Sequence, residues 1–279
     1  MKKLIILILL LISYFLFPML VYAGDIPNRI ISLSPNVTEI LFAMGLGDKI
    51  VGVTNFCDYP EEAKKKPKIG GMSNPSLEAV VSLKPDIVVM TTDGNPKEFE
   101  ERLRSLKIRT YVFKARRLSE LPMGIRELGL TLGVKDRGET LAKELEGTMN
   151  KVVHSSLITP HSSPKKKVLF IIWPEPLIVA GPGTLIDDVI TLLGAENIAA
   201  KAKTSYPKYS IEEIIRQAPD VIFIGKGHTD IKEVSENLLK RIASVPAVKY
   251  HAVCYISDSI YRLGPRVVQG IKEMAICLK

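Results

Sequence analysis

The order of apolar and polar positions in Ser76–Val89 (SLEAVVSLKPDIVV) returns in Ser210–Phe223 (SIEEIIRQAPDVIF). Each copy runs Ser, aliphatic, Glu, one free position, two aliphatics, three variable positions, Pro-Asp and then a run of aliphatics. The offset of 134 residues lies far beyond the periods of stacked repeats, which reach about 50 residues. It fits two α/β lobes of like design in one chain.

Helix and strand patterns alternate around both copies. Strands are expected at Arg29–Leu33, Ile50–Val53, Ile87–Met90 and Thr110–Phe113. Helices are expected at Val37–Met44 (capped by Asn36), Leu77–Leu83 and Lys97–Ser105. The second half gives strands at Val168–Ile172, Val221–Ile224 and Val253–Ile256, with helices at Leu185–Leu193, Ile211–Gln217, Val234–Ile242 and Pro265–Cys277. Such alternation predicts parallel sheets. Between the halves, Leu118–Leu132 reads as helical up to a break at Gly133. Asp136–Val153, rich in Glu, Lys, Leu and Ala, is the longest helical stretch, and Thr159–Lys167 is a Pro/Ser/Lys loop. The expected organisation is an α/β fold of two Rossmann-like lobes, 24–134 and 159–279, with parallel sheets and a single long α-helix, 135–158, joining them. One connecting helix restricts hinge motion, and the cleft between two lobes is the default ligand site.

Lys2 and Lys3, the almost wholly apolar Leu4–Leu20 and the small-residue site Val21-Tyr22-Ala23 predict a signal peptide over residues 1–23, cleaved after Ala23. The apolar run is also long enough to span a bilayer; Pro18 and the cleavage site favour removal. No Cys stands near that site to carry a lipid, so a freely diffusing protein in the periplasm of a two-membrane cell is expected.

Charge narrows the function classes. The formal net charge is +8, of which Lys2 and Lys3 leave with the signal. The remaining basic residues are dispersed, and Lys64–Lys66 and Lys165–Lys167 flank prolines as solvated loops. Without basic–aromatic interleaving, nucleic-acid binding is not expected. His154, His161, His228 and His251 show no metal-ligand spacing, and the chain has no G-x-S-x-G elbow, Walker loop or dinucleotide fingerprint. Neither an enzyme nor a resident cofactor is expected. Of Cys57, Cys254 and Cys277, an oxidising compartment permits one bridge. Cys254–Cys277 is the expected pair, since both fall in the last lobe, on a strand and a terminal helix.

Several segments together carry a resemblance: RIISLSPNVTEILFAMG (Arg29–Gly45), VGVTNFCDYP (Val51–Pro60), IGGMSNPSLEAVVSLKPDIVV (Ile69–Val89), GAENIA (Gly194–Ala199), the second repeat copy and SDSIYRLGPR (Ser257–Arg266). They resemble the periplasmic substrate-binding proteins of ABC importers whose lobes are joined by one long helix, a family that delivers cobalamin, ferric siderophores or haem. The Cys57–Pro60 and Ser257–Arg266 segments most resemble cobalamin-binding members. The resemblance implies a monomer that holds a corrinoid and docks on a permease dimer with its ATPase. It implies aromatic walls at Phe56, Trp173 and Tyr206, and a polar pair, Asp258 and Arg262, toward corrin side amides. Met72 and Thr91 fall where the family pattern places tryptophans, a departure that keeps the siderophore and haem readings open. Glu78 and Glu212 match acids that meet arginines on the two permease subunits.

Taken without the resemblance, the same residues have plainer roles. Trp173 follows a buried strand and suits core packing. Asp258 and Arg262, four apart, suit a mutual pair. Glu78 and Glu212 are first-turn helix acids that favour the helix dipole. Gly181–Thr184 reads as a tight turn, and Cys57 as a buried thiol.

Overall fold

The computed structural model describes residues 26–156, 164–226 and 231–279. The expected signal segment lies outside them, as does much of the Thr159–Lys167 loop.

The first lobe is built on β1 (Ile30–Ser32), β2 (Ile50–Val53), β3 (Ile87–Thr91) and β4 (Thr110–Phe113). They lie in the order β2-β1-β3-β4, every pair parallel. Helices α1 (Pro35–Ala43), α2 (Glu61–Lys64), α3 (Leu77–Ser82) and α4 (Lys97–Ser105) make the crossovers. In the second lobe β5 (Lys167–Pro174) pairs parallel with β8 (Val221–Gly225), and β8 with β9 (Val253–Ile256). The short β6 (Leu177–Val179) turns back antiparallel along β5, and the two-residue β7 (Glu196–Asn197) pairs with its start. The sequence pattern missed β6 because three residues returning from a tight hairpin carry no periodic signal. Around this sheet pack α7 (Leu185–Leu192), α8 (Ile211–Gln217), α9 (Ile231–Arg241), α10 (Pro246–Lys249) and α11 (Val267–Cys277).

The repeated segment does the same work in both lobes. The Ser76 hydroxyl accepts the Ala79 amide at 3.2 Å, and the Ser210 hydroxyl the Glu213 amide at 3.1 Å, capping α3 and α8. Lys84 (φ 44°) and Ala218 (φ 48°) enter the left-handed region just past each helix. A proline follows each of them, and no helix can continue through it. The Asp86 carboxylate then accepts the Asn28 and Arg29 amides at 2.8 and 2.9 Å, and Asp220 the Lys167 amide at 2.7 Å. Each aspartate thereby ties the incoming strand to the first strand of its own sheet.

Alternation along the strands sorts the core. Ile30, Val89, Phe170 and Phe223 face one shared apolar cluster, whereas Ile31 and Val88 face a cluster of the first lobe and Leu169 and Ile222 a cluster of the second. The shared cluster is bridged by Leu141, Ala142, Leu145 and Val152 of the long helix α6 (Lys135–Ser156). At 22 residues that helix is about 33 Å long at 1.5 Å per residue. It packs on α5 (Leu121–Thr131) so closely that a Cβ on Gly129 would meet Gly138 Cα at 2.9 Å. Arg126 of α5 also binds Glu139 and Glu146 of α6, each at 2.8 Å. On its other side α6 meets α11. The lobes thus share one continuous core through this helix.

Two local expectations are corrected. Helix α1 begins at Pro35 with Ser34, not Asn36, at the capping position. Proline suits the first helical turn, where its missing N–H leaves nothing unpaired. The Ser34 hydroxyl is drawn to the Asn36 side chain instead of a helix amide. The helix expected from Pro265 starts at Val267. In the second lobe Cys254 on β9 and Cys277 on α11 are joined as a disulfide, their Cα atoms 6.5 Å apart.

Candidate functional site

In an open parallel sheet, ligands meet the loops at the carboxyl ends of the strands. Here the two sheets bring those ends together around a cleft of about 540 Å³. From the first lobe come Ser34–Asn36 at the start of α1, Met72, Thr91 at the end of β3 with Asp93 beyond it, and Arg116 after β4. From the second come Gly183–Leu185 at the start of α7, Ser205, Tyr206 and Tyr261–Leu263. Met72 and Tyr206 occupy the same place relative to the two repeat copies, six residues before Glu78 and Glu212. They face each other's lobe across one cavity.

Side-chain amides hold these loops. Asn95 accepts the Thr91 amide at 2.8 Å and donates to Leu33 O and Met72 O at 3.0 and 2.9 Å, binding three first-lobe loops at one point. Asn197 plays that part in the second lobe, donating to Ala180 O at 3.1 Å and Asp187 Oδ1 at 2.8 Å and accepting the Ala199 amide at 3.0 Å. At the Gly181–Thr184 turn, Asp187 accepts the Gly183 amide and Thr184 the Asp187 amide, each at 3.1 Å. Those amides are satisfied from within the chain, as a tight turn requires. Gly225 ends β8 where a Cβ would lie 1.5 Å from Tyr261 Oη, so glycine alone lets that ring into the cleft. The Tyr261 ring also sits edge-on to Phe170, 6.2 Å between centroids.

Charge in the cleft is matched. Arg116 reaches Thr92 Oγ1 at 3.1 Å and Asp93 Oδ1 at 3.3 Å. Arg262 crosses between lobes to Glu39 Oε1 of α1 at 3.0 Å and Asp58 Oδ1 at 2.5 Å. Arg266 lies 3.4 Å from Glu39 Oε2, an ionic contact without hydrogen-bond geometry, and donates to Asp258 Oδ2 at 2.9 Å. Its guanidinium sits 4.3 Å above the Tyr59 ring. Glu39 is 3% exposed. Burial raises its pKa, and Arg266 and Arg262 oppose that rise. Burial also works against the charge on Arg262, but hydrogen bonds to Asp58 and Glu39 outweigh it and hold the guanidinium charged. Burial and the Asp93 carboxylate raise the Tyr206 phenol. Burial, Tyr206 and Asp258 raise Tyr261 further. A second inter-lobe tie joins Arg117 to Asp188 of α7, which also accepts the Leu118 amide at 3.0 Å.

Of the ligand residues expected from sequence, Met72, Thr91, Tyr206 and Arg262 meet in this cavity. Phe56 (63% exposed), Trp173 (37% exposed) and Asp258 lie outside its lining. The Trp173 indole donates to Glu175 O at 2.6 Å at the end of β5. Asp258 pairs with Arg266, not with Arg262. Glu39 and Asn95 were not anticipated. A buried acid inside an apolar helix pattern, TEILFA, was the available signal for Glu39; no local pattern marks Asn95. Glu78 and Glu212 are exposed on α3 and α8. Cys57 is buried, its thiol 3.1 Å from the hydroxyls of Thr38 and Thr54. A second cavity of about 740 Å³, larger than the cleft, lies beside Phe42, Tyr59 and Arg266, and none of the expected ligand residues lines it.

Comparison with known proteins agrees with this architecture. The Vitamin B12-binding protein of Pectobacterium carotovorum subsp. carotovorum (strain PC1) is 27% identical over 252 residues, covering 90% of this chain and 88% of its own. The uncharacterized ABC transporter substrate-binding lipoprotein YvrC of Bacillus subtilis (strain 168) is 31% identical over 256 residues, covering 89% and 79%. Among solved structures, the periplasmic vitamin B12 binding protein BtuF of Vibrio cholerae superposes with a TM-score of 0.79 at 26% identity, covering 91% of this chain and 98% of that one. The periplasmic heme-binding protein RhuT of Roseiflexus sp. RS-1, in apo form, gives 0.78 at 29%, with the same coverage. The model of the family described as periplasmic binding protein matches residues 30–259, and the chain belongs to that family.

Proposed function

We propose that this protein captures cobalamin or a close corrinoid between its lobes and delivers it to the permease of an ABC importer. The observation that carries the ligand class is the charge balance of the cleft. Its two arginines, Arg116 and Arg262, are each already matched by carboxylates. A haem or a carboxylate siderophore brings anionic groups that need a cation of their own. A corrin presents amides and methyls around a flat ring, which suit Met72, Tyr206, Tyr261 and loop carbonyls. The names of the vitamin B12-binding relatives point the same way. The superposition on a haem-binding protein is as good, and with Tyr206 and Tyr261 in the cleft it favours haem as the second reading. A corrinoid is larger than this half-open cleft of about 540 Å³, so on this reading part of it stays outside the cleft, toward solvent.

On the same reading the protein is exported through its N-terminal segment and works in the periplasm. It docks through Glu78 and Glu212, and no catalytic step is assigned to it. Calorimetric titration with cyanocobalamin, beside haemin and a ferric siderophore, tests the ligand. One-to-one saturation by the corrinoid alone is expected. Saturation by haemin alone would transfer the protein to iron uptake.

A further inference from the structure

Each docking acid has a companion. Val81 follows Glu78 by three residues, and Ile215 follows Glu212 by three. Residues one turn apart share a helix face. Val81 and Ile215 are 41% and 44% exposed, while their neighbours Val80 and Ile214 are fully buried. Of the two aliphatics in each repeat copy, the first therefore fixes the helix to its sheet and the second faces water. Single exposed aliphatics are ordinary on protein surfaces. These two stand at matched positions, each beside a matched acid, in lobes whose cleft-facing residues differ.

Docking supplies a reason for them. An arginine–carboxylate contact left in water contributes little and weakens with salt. It gains when apolar neighbours exclude water around it. The two acids each stand six residues after a cleft residue, Met72 or Tyr206. In α8 Arg216 and Gln217 both bond to Glu213, at 2.9 Å, and not to the exposed Glu212, whose carboxylate bonds locally, to its own amide and Ser210. We infer that Glu78 with Val81, and Glu212 with Ile215, are two amphipathic docking faces. Each takes an arginine with an aliphatic patch beside it, from one of two like permease subunits. The inference rests on the docking reading above and extends it from two charges to two faces.

The test uses the source cell's own permease–ATPase complex in phosphatidylethanolamine–phosphatidylglycerol liposomes. Receptor loaded with cyanocobalamin is titrated at low and high salt, and the concentration giving half-maximal ATP hydrolysis is read. Val81→Ser with Ile215→Ser raises that concentration about tenfold or more at both salt levels. Corrinoid affinity and melting temperature stay unchanged, and Val81→Leu with Ile215→Leu restores docking. Glu78→Ala with Glu212→Ala loses stimulation chiefly at low salt and flattens the salt dependence. An unchanged value for the serine pair beside a weakened acid pair overturns the apolar faces and leaves the docking acids standing. An unchanged acid pair overturns the docking reading itself.

Discussion

Both lobes carry the same frame of capping serine, exposed acid, left-handed turn and strand-tying aspartate, yet they are finished differently. The first lobe has four parallel strands and no covalent closure. The second adds an antiparallel strand and fastens its edge strand β9 to α11 through Cys254–Cys277. At the cleft the matched positions diverge: Met72 against Tyr206, and Thr91 against Gly225. The positions that hold a helix to a sheet are the same in the two halves. Those that line the ligand space differ, and neither Met72 nor Tyr206 holds a helix to its sheet.

The largest expected effect comes from the tie that joins the lobes. Glu39→Ala takes the buried acid from the half-buried Arg262 and Arg266, and removing one member of a buried pair costs about 3–5 kcal/mol. Asp58 and Asp258 still cover part of that charge and hold the loss to the lower end. The other tie is more exposed on its Arg117 side, so Asp188→Ala costs about 1–2 kcal/mol. Urea unfolding of the two variants checks the order, and equal losses would refute the claim that burial sets it.

The disulfide tests whether the lobes are separate at all. Cys277→Ser removes a bridge across a sequence separation of 23 residues and costs about 2–4 kcal/mol. Because the shared core runs through α6 from Phe170 to Ile30, the variant still unfolds in one transition at lower temperature. Two resolved transitions in calorimetry would show that the second lobe stands alone.

The sequence made the frame readable because its signals are local. Ser76 and Ser210 cap within three residues, Pro85 and Pro219 stop the helices, and the aliphatic runs can only be strands. The site was half readable. Met72, Thr91, Tyr206 and Arg262, singled out through the resemblance, line one cavity. Arg262 was expected to face the ligand or Asp258, and it spends its donors on Glu39 and Asp58, 223 and 204 residues away. Asn95 is similar: its partners Leu33 and Met72 are 62 and 23 residues distant. No spacing rule reaches such contacts, since only the folded sheet brings them together.

The difference between Thr91 and Gly225 can be sharpened next. Gly225→Ala forces Tyr261 out of its seat, because the new Cβ would lie 1.5 Å from its hydroxyl. A fall of about tenfold in corrinoid affinity is expected, or about 1.4 kcal/mol. Thr91→Ala loses only a 2.7 Å hydrogen bond to Asp93 O, worth about 1 kcal/mol of stability. Its effect on affinity should be smaller, and titration of both variants compares them. An effect of Thr91→Ala as large as that of Gly225→Ala would mean the first lobe contacts the ligand as closely as the second.

The smallest effect is one of pH and concerns the same inter-lobe acid. Burial raises the folded pKa of Glu39 above the ordinary 4.5, with Arg266 and Arg262 opposing. A carboxyl raised in this way contributes fully to stability below the unfolded pKa, and that contribution is lost as pH rises through the folded value. Glu120, Glu139 and Glu146 are lowered, chiefly by hydrogen bonds to the Arg116 amide for the first and to Arg126 for the others. Their contributions are lost as pH falls, and they mask Glu39 in the wild-type curve. Glu39→Gln keeps all three and removes only the titration at Glu39. The margin of wild type over Glu39→Gln should therefore be constant in acid and narrow as pH climbs from about 4.5, by about 1.4 kcal/mol for each unit of raised pKa. Urea unfolding of both proteins between about pH 4 and 7.5 measures it. A margin that widens over this range would mean that Arg262 and Arg266 outweigh burial, and that the inter-lobe tie strengthens rather than strains the folded state near neutrality.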